Sequence, residues 1–390
     1  MTPGGPGDGA TLERLLAGSV DALPAGRLAE QLESGKELRV KFGMDPTTAD
    51  IHLGHCVVLQ KLRAFQDLGH LVVLIVGDYT ARVGDPSGRD DTRPVLSGDQ
   101  IAENARTYQE QAFKLLDRER TEIRHNSEWL GMPSDELFDL MRRFTVARLL
   151  ERDDFQRRME QGQGISSLEL LYPVLQGYDS VAVEADVELG GADQKFNLLF
   201  GRDVQESYGQ APQSILTMPL LVGTDGVRKM SKSYENYVGV TDDPHEMFGR
   251  LMSIPDGLMA DYYLLLLGRE LDTGAHPNEA KRTLGRELVA RFHDDAAAEE
   301  AEARFDAIHK RGEVPEDMPT VSVADGETVH LPALLASSFQ ISSSEARRLI
   351  GQGGVRLDGE ALDADALDLP ASELSGKVLQ LGKRRFVRVA

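Results

Sequence analysis

Residues 40–44 read as a short strand that Asp45-Pro46 breaks. From 53 to 68 apolar residues recur at helical spacing, at Leu53, Val57, Val58, Leu62, Phe65 and Leu68, and Gly69 closes the segment as a C′ glycine would. The next stretch, LVVLIVG at 71–77, is a continuous apolar run ending in glycine, which predicts a strand buried on both faces. Strand, helix and strand in that order predict a parallel βαβ unit, and such units take ligands at the carboxyl ends of their strands.

Helical patterns follow at 100–116 and 134–159. Alternation in VAVEADVEL at 181–189 predicts another strand, as does SILTMPLLVG at 214–223. Beyond Pro244 the texture is helical as far as Gly312. Residues 313–327, EVPEDMPTVSVADGE, hold two prolines and little periodicity and read as a linker, after which the chain forms a last compact unit. There is no internal repeat.

Composition bounds what this pattern can be. The chain has 390 residues, 41% of them hydrophobic, enough for two or three packed domains. No apolar run approaches the roughly 18–20 residues that span a bilayer. The opening MTPGGPGDGA has neither the basic start nor the apolar core of a signal peptide, so residues 1–10 are expected to be a disordered tail. A single cysteine, Cys56, predicts no intramolecular disulfide and no thiolate metal site, and the expectation is a cytoplasmic protein. The formal net charge of −21 argues against a polyanionic partner, but the charge is unevenly spread. Residues 331–390 carry eight Lys and Arg against seven Asp and Glu, and four of those eight, Lys383, Arg384, Arg385 and Arg388, crowd the terminal GKRRFVRVA. Local clustering is the better guide to nucleic-acid binding.

Five stretches carry candidate chemistry. FGMDPTTADIHLGH, at 42–55, places polar groups at the mouth of the first predicted helix. Gly43 lets a ligand come close to the backbone at the strand end. Thr47, Thr48, His52 and His55 gather at the helix N-terminus, where free N–H groups and the dipole favour phosphate; the same residues also fit a plain Asp-Pro turn with capping histidines. GDPSGRDDTR, at 84–93, sets Asp85 at a turn with Arg89 and Arg93 after it, or is a solvated surface turn. LYPVLQGYD, at 171–179, spaces Tyr172, Gln176 and Asp179 as one helix face would; Pro173 starts or kinks that helix, so Gln176 and Asp179 are the pair expected to share a face. GGADQ, at 190–194, ends a strand with two glycines and sets Asp193 and Gln194 where a ligand hydroxyl or amine could be bonded, or simply turns the chain. KMSKS, at 229–233, holds Lys229 and Lys232, which can swing onto a polyphosphate and neutralise a leaving group, although loop lysines often serve only solubility.

Together the motifs carry more than each alone. His-Leu-Gly-His followed, 177 residues after its first histidine, by Lys-Met-Ser-Lys-Ser resembles the paired signature of class I aminoacyl-tRNA synthetases. FGMDPTTADIHLGH, GDPSG, YPVLQGYD and GGADQKFN resemble the tyrosyl-tRNA synthetases in sequence and order, in particular their bacterial branch with an intact KMSKS, over residues 40–240. The closing SSSEARRLIGQGGVRLDGE resembles the small RNA-binding module that ends bacterial members of that family and also occurs in ribosomal proteins.

The resemblance implies an α/β architecture: a Rossmann-like parallel-sheet catalytic domain at 1–234, a helical anticodon-recognition domain at 235–312, the linker at 313–327 and an α+β RNA-binding module at 328–390. It implies a homodimeric ligase that joins L-tyrosine to ATP as tyrosyl-adenylate and then moves tyrosine to the 3′ end of tRNA(Tyr). Magnesium would accompany the ATP, with no dedicated metal site on the protein. Thr47, His52 and His55 would contact the phosphates, and Lys229 and Lys232 would close over the β- and γ-phosphates. Gly43, Asp45 and Gly54 would lie against the nucleotide, and Asp193 would hold the ribose. Asp85, Tyr172 and Gln176 would bind the amino group of tyrosine and Asp179 its phenol hydroxyl, with Gln194 near its carboxylate. Arg347, Arg348, Lys383, Arg384, Arg385 and Arg388 would contact tRNA.

Three positions depart from the family pattern. Lys41 stands where many members have a tyrosine that touches the substrate hydroxyl, so its charge is expected to help keep Asp179 ionised. Arg89 replaces a lysine and Val58 a threonine near the ribose. Three rival readings share parts of this signature. A small-molecule nucleotidyltransferase needs no RNA module, and a tryptophanyl synthetase has no use for Asp179. A non-catalytic RNA-binding paralogue would not need His52, His55, Lys229 and Lys232.

Overall fold

Six strands make the first sheet: β1 (Asp21–Leu23), β2 (Arg39–Met44), β3 (Leu71–Val76), β4 (Thr121–His125), β5 (Val187–Gly191) and β6 (Ser214–Met218). They lie in the order β1-β6-β5-β2-β3-β4, with β1 antiparallel to β6 and the others parallel. The structure is a computed structural model that describes residues 9–46, 50–86, 97–272, 274–308, 318–323, 328–382 and 385–390. β3 is LVVLIV, buried along all but its first residue, as its uninterrupted apolar run requires of a central parallel strand. The Leu53–Gln66 helix that leads to it buries Leu53, Val57, Val58, Leu62 and Phe65.

From β2 the chain steps outward through the Leu53–Gln66 helix to β3 and through the Gly98–Ala112 helix to β4. From β5 it steps the other way, through the Lys195–Ser207 helix to β6. The direction reverses between β2 and β5, and in open α/β sheets that is where a ligand crevice opens. β2 pairs with β3 from Arg39↔Leu71 to Met44↔Val76, but with β5 only at Val40↔Val187 and Lys41↔Glu188.

Several expectations are corrected. The helix expected at 134–159 is three helices, Ser134–Met141, Val146–Leu149 and Asp153–Glu160, and Thr145 caps the second by accepting from the Arg148 N–H at 3.3 Å. The strand expected at 181–189 is strand only in its last three residues. The Ser167–Ala182 helix runs into it, Glu184 takes a left-handed φ of 49°, and β5 starts only at Val187. The alternation there has another cause: Val183 and Ala185 bury themselves with Val73 and Ile75 in the connection. Its carbonyls are satisfied by side chains, Gln210 Nε2 donating to Val181 O at 3.0 Å and Gln205 Nε2 to Ala185 O at 2.9 Å. Pro173 lies inside that helix rather than at its start, because Ser166 and Glu169 form a capping box further upstream. Gly9 and Ala10, expected within a disordered tail, instead open a helix that spans Gly9–Leu16.

The chain divides into two compact units, Met1–Ala298 and Glu299–Ala390. Most of the helical stretch expected at 235–312 packs within the first: Tyr262 Oη donates to Val222 O at 2.7 Å and Lys114 Nζ to Phe292 O at 2.6 Å. In the second unit, β7 (Thr320–Val321), β8 (Thr328–His330), β9 (Val355–Leu357), β10 (Glu360–Ala361), β11 (Asp368–Pro370), β12 (Val378–Leu381) and β13 (Arg385–Val389) form a sheet of order β10-β9-β12-β13-β7 and a β8/β11 pair. Leu331, Leu335, Ile350, Leu379 and Val387 build its core. β7 falls inside the stretch read as a linker and pairs Thr320 with Arg388; two residues are too short a strand to show as periodicity.

At the junction of β2 and β5, Lys41 Nζ meets Glu188 Oε1 at 2.9 Å, with side-chain exposures of 0% and 2%. Replacing one member of such a pair strands the other charge without water. Lys41→Met should therefore cost about 3–5 kcal/mol, whereas Lys41→Met combined with Glu188→Leu should recover much of that loss. Thermal midpoints of the two variants decide it, and a single variant as stable as the parent would show that the pair does not hold the junction.

Candidate active site

A cavity of about 440 Å³ opens beyond the carboxyl ends of β2 and β5, lined at one end by Gly43, His52, Gly54, His55, Asp193 and Lys229. A Cβ added at Gly43 would meet nothing within 4 Å, so the backbone there faces open space. His52 is the N-cap of the Leu53–Gln66 helix, and its Nδ1 accepts from Gly54 N at 3.1 Å. The His52 N–H in turn donates to His55 Nδ1 at 3.2 Å. A Cβ on Gly54 would lie 2.9 Å from the His52 ring, which is why this turn takes glycine.

These two hydrogen bonds set the tautomers. Burial, then the neighbouring His55 and Lys232, push His52 down to about 2; burial and Lys232 push His55 down to about 4. Both rings are therefore neutral, and with Nδ1 acting as acceptor each carries its proton on Nε2. The helix N-terminus thus offers two imidazole N–H donors to phosphate oxygens, aided by the dipole; the free amides expected there are already paired, Leu53 N with Val238 O, Gly54 N with His52 Nδ1 and His55 N with His52 O.

The loop of KMSKS is tied to the same turn. Leu53 N donates to Val238 O at 2.9 Å and Val240 N to Ile51 O at 3.0 Å. Asn236, buried, clasps the loop: its Nδ2 donates to Lys229 O at 3.1 Å and its Oδ1 accepts from Ser231 N at 2.8 Å. Lys229 Nζ stands 3.5 Å from Asp193 Oδ2, and Lys232 Nζ 2.5 Å from Asp50 Oδ2.

The other end of the cavity is acidic. Tyr172 Oη donates to Asp45 Oδ2 at 3.0 Å, and Thr80 Oγ1 donates to Asp45 Oδ1 at 2.6 Å. The structure therefore sets Asp45 against Tyr172 and Thr80. Gln194 Nε2 donates to Asp85 Oδ2 at 2.7 Å, and Asn197 Nδ2 donates to Gln194 Oε1 at 2.8 Å. Deeper still, Asp179 Oδ1 accepts from Trp129 Nε1 at 2.8 Å and Oδ2 from Asn126 Nδ2 at 3.4 Å. Burial raises Asp179 to about 7 against the opposing pull of Lys41, Trp129 and Asn126. Burial likewise raises Asp45 to about 7, with Asp85 and Asp179 adding to it and Thr80 and Tyr172 opposing.

Lys41 makes no hydrogen bond to Asp179. Its ammonium donates to Gln176 O at 3.0 Å and Ser180 Oγ at 2.7 Å and pairs with Glu188, so its effect on Asp179 is purely that of a nearby charge. Thr47, Arg89, Lys383 and Arg384 lie outside the described residues. In the second unit, Arg347 and Arg348 sit on the Ser343–Gly351 helix, while Arg385 and Arg388 are exposed on β13. Arg348 is bound by Glu345 and Gln352, and Arg347 donates to His330 at 3.3 Å.

Four contributors were not singled out from sequence: Trp129, Asn126, Asn236 and Glu188. Trp129 is the chain's one tryptophan and follows the carboxyl end of β4, the kind of position that lines a crevice in such sheets. The others carry no local signal. Among the described residues, no group of three or more His, Cys, Asp or Glu could hold a metal ion, and no helix is long and apolar enough to cross a membrane.

A family model for tRNA synthetases class I (W and Y) matches residues 33–310. The tyrosine–tRNA ligase of Bordetella avium (strain 197N) is 52% identical over 376 residues, covering 94% of this chain and 91% of that one. The tyrosine–tRNA ligase of Desulfotalea psychrophila is 48% identical over 396 residues, covering 97% of each. The crystal structure of tyrosyl-tRNA synthetase complexed with L-tyrosine from Archaeoglobus fulgidus matches with a TM-score of 0.61 at 23% identity, covering 75% of this chain and 98% of that one. At that identity the solved structure bears on the fold, and the sequence relatives carry the rest. The chain belongs to the class I tRNA synthetases (W and Y), alongside the tyrosine–tRNA ligases.

Proposed function

We propose that the chain activates L-tyrosine with ATP, forming tyrosyl-adenylate and pyrophosphate, and transfers the tyrosyl group to the 3′ end of tRNA(Tyr). The observation that carries this is the placement of Asp179. A buried carboxylate, fixed by the Trp129 and Asn126 donors, closes the end of a cavity whose other end offers the His52 and His55 donors. A phenol hydroxyl satisfies that carboxylate, and an indole has no hydroxyl to give it. Assaying ATP–pyrophosphate exchange with each of the twenty amino acids tests the reading, since exchange driven best by any other amino acid overturns it.

In this reading the tyrosine carboxylate attacks the α-phosphate while His52 and His55 donate to the phosphate oxygens and Lys229 and Lys232 leave Asp193 and Asp50 for the departing pyrophosphate. Catalysis is then positioning and electrostatics. Gly43 and Gly54 leave room for the nucleotide, and Asp193 takes the ribose once Lys229 has moved. Magnesium would accompany the ATP and supply positive charge against its phosphates. Thr47 joins the phosphate contacts by resemblance alone. Residues 235–312 read the anticodon, and the second unit supplies phosphate contacts to tRNA. The enzyme works in the cytoplasm as a homodimer; exposed Phe138, Val146 and Met159, on the helices between β4 and β5, are apolar surface that supports association.

Lys232→Ala should slow adenylate formation by about 100-fold or more with tyrosine binding nearly unchanged, because its charge matters chiefly in the transition state. Single-turnover kinetics with tyrosine titration separate the two effects. Asp179, held up at about 7, gains a proton as the pH falls through that value and stops accepting from the phenol. The kcat/KM ratio for tyrosine over phenylalanine should therefore rise with pH through about 7 and level off above it, and Asp179→Asn should give a low ratio flat with pH. Removing residues 329–390 should leave amino-acid activation intact and weaken tRNA charging, and the whole chain's tRNA affinity should fall steeply with salt. Charging unimpaired by the truncation would take residues 329–390 out of tRNA binding.

A further inference from the structure

Three acceptors converge on the part of the cavity where the amino group of tyrosine is read above. Tyr172 spends its only hydrogen on Asp45, leaving its oxygen to accept. Asp85 brings a carboxylate oxygen. The third is Gln176, and a glutamine side chain is ambiguous: its amide presents either a carbonyl oxygen or an NH₂ group, and only the oxygen suits an ammonium.

Glu188 removes the ambiguity. Its Oε1 lies 3.3 Å from Gln176 Nε2, and an ionised carboxylate can only accept, so a flipped amide would set oxygen against oxygen. The rest of Glu188 is held as firmly. Ser180 Oγ donates to Oε2 at 3.2 Å, Gln213 Nε2 donates to the same oxygen, and Lys41 pairs with Oε1 at 2.9 Å. Lys41 also donates to the main-chain oxygen of Gln176 at 3.0 Å, so one ion pair grips both ends of that residue. The consequence is visible at the far corner of the amide: Gln176 Oε1 is buried and has no hydrogen-bond partner, in a residue that lines the cavity. An unpaired buried acceptor is costly and calls for a donor.

We propose that Glu188, with Lys41 as its counterion, is a positioning residue for the substrate's ammonium group: it fixes the Gln176 amide with its carbonyl oxygen unpaired, an acceptor kept for that group. Neither residue touches the substrate. The assignment rests on the reading of Gln176 as an ammonium contact. It also gives Lys41 a role at the amino end of the substrate, beside the charge by which it lowers Asp179 at the phenol end.

The test uses the full chain in three forms: Gln176→Ala, Glu188→Gln, and the double variant Lys41→Met with Glu188→Leu, which removes both charges and so avoids a stranded ion. For each, KM and kcat for tyrosine and KM for ATP come from pyrophosphate exchange. Competitive inhibition by 3-(4-hydroxyphenyl)propionate, tyrosine without its amino group, supplies the control. In the double variant KM for tyrosine should rise about tenfold, the loss expected for one hydrogen bond to a charged group, while the inhibition constant and the KM for ATP stay within about twofold. Glu188→Gln should move the same way by less, because a glutamine can still turn its own carbonyl to Gln176. Equal weakening of tyrosine and of the deaminated analogue would mean the pair is scaffolding only, and the proposal falls. A folded double variant with normal KM for tyrosine, beside a Gln176→Ala enzyme with raised KM, overturns the role of Glu188 alone. Gln176→Ala with unchanged KM removes Gln176 from ammonium binding and takes the underlying reading with it.

Discussion

The two halves of the catalytic sheet meet at one short contact, and a buried ion pair sits in its register. Lys41 and Glu188 are cross-strand partners on β2 and β5, next to Val40↔Val187. An isolated charge has no place at 0% or 2% exposure, yet here each charge lies on the other and on hydrogen bonds from the surrounding helix and strand. That satisfaction allows two strands from opposite halves to touch and then part. Past this point β2 runs on to Gly43 and β5 to Gly190, and the cavity fills the gap. The pair thus marks the floor of the crevice and orders the first residues that line it.

The crevice is electrically divided. One end holds Asp45, Asp85 and Asp179 close enough together that burial and mutual repulsion raise Asp45 to about 7. The other holds a helix N-terminus, two neutral imidazoles and Lys229, with Lys232 paired to Asp50 nearby. A substrate that is cationic and hydroxylated at one end, and joined through its carboxylate to a polyphosphate at the other, matches that division. The imidazoles matter because they are neutral. Imidazolium ions at the helix N-terminus would repel its dipole, whereas neutral rings with Nδ1 engaged donate from Nε2 at no such cost.

Much of this was legible in the chain, for reasons that differ by element. The continuous apolar run of β3 and the 3.6-residue spacing after Leu53 are local properties, and local properties survive folding. VAVEADVEL misled because period-two burial also arises where an irregular connection threads between a helix and the sheet; only the left-handed Glu184 and the glutamine side chains downstream settle its backbone. The site motifs are short because each sits on one turn, so Gly54 and Lys229 could be read from sequence. Partners were not legible where the contact spans the fold. Lys41 was seen to be unusual, but Glu188 lies in another half of the sheet and Trp129 on a third element, and nothing in their own neighbourhoods points to Asp179 or Gln176. A buried network is written in pairs, and a single sequence shows one member at a time.

The lysine loop follows a different economy from the buried pair. Its backbone is fixed, since Asn236 clasps Lys229 O and Ser231 N and bridging hydrogen bonds tie the following residues to the His52 turn. Its charges are held only loosely. Lys229 and Lys232 rest on Asp193 and Asp50 in pairs that are a quarter to nearly half exposed, at 38% and 28% and at 25% and 45%. Pairs of that kind are each worth about 1 kcal/mol or less. Under the proposed function a triphosphate would therefore have little to displace: it would exchange two weak carboxylate partners for phosphate oxygens without first ordering a loop. The strong ion pair at the bottom of the crevice and the weak ones at its rim do opposite jobs for the same reason, because what a charge pair contributes depends on how much water it has given up.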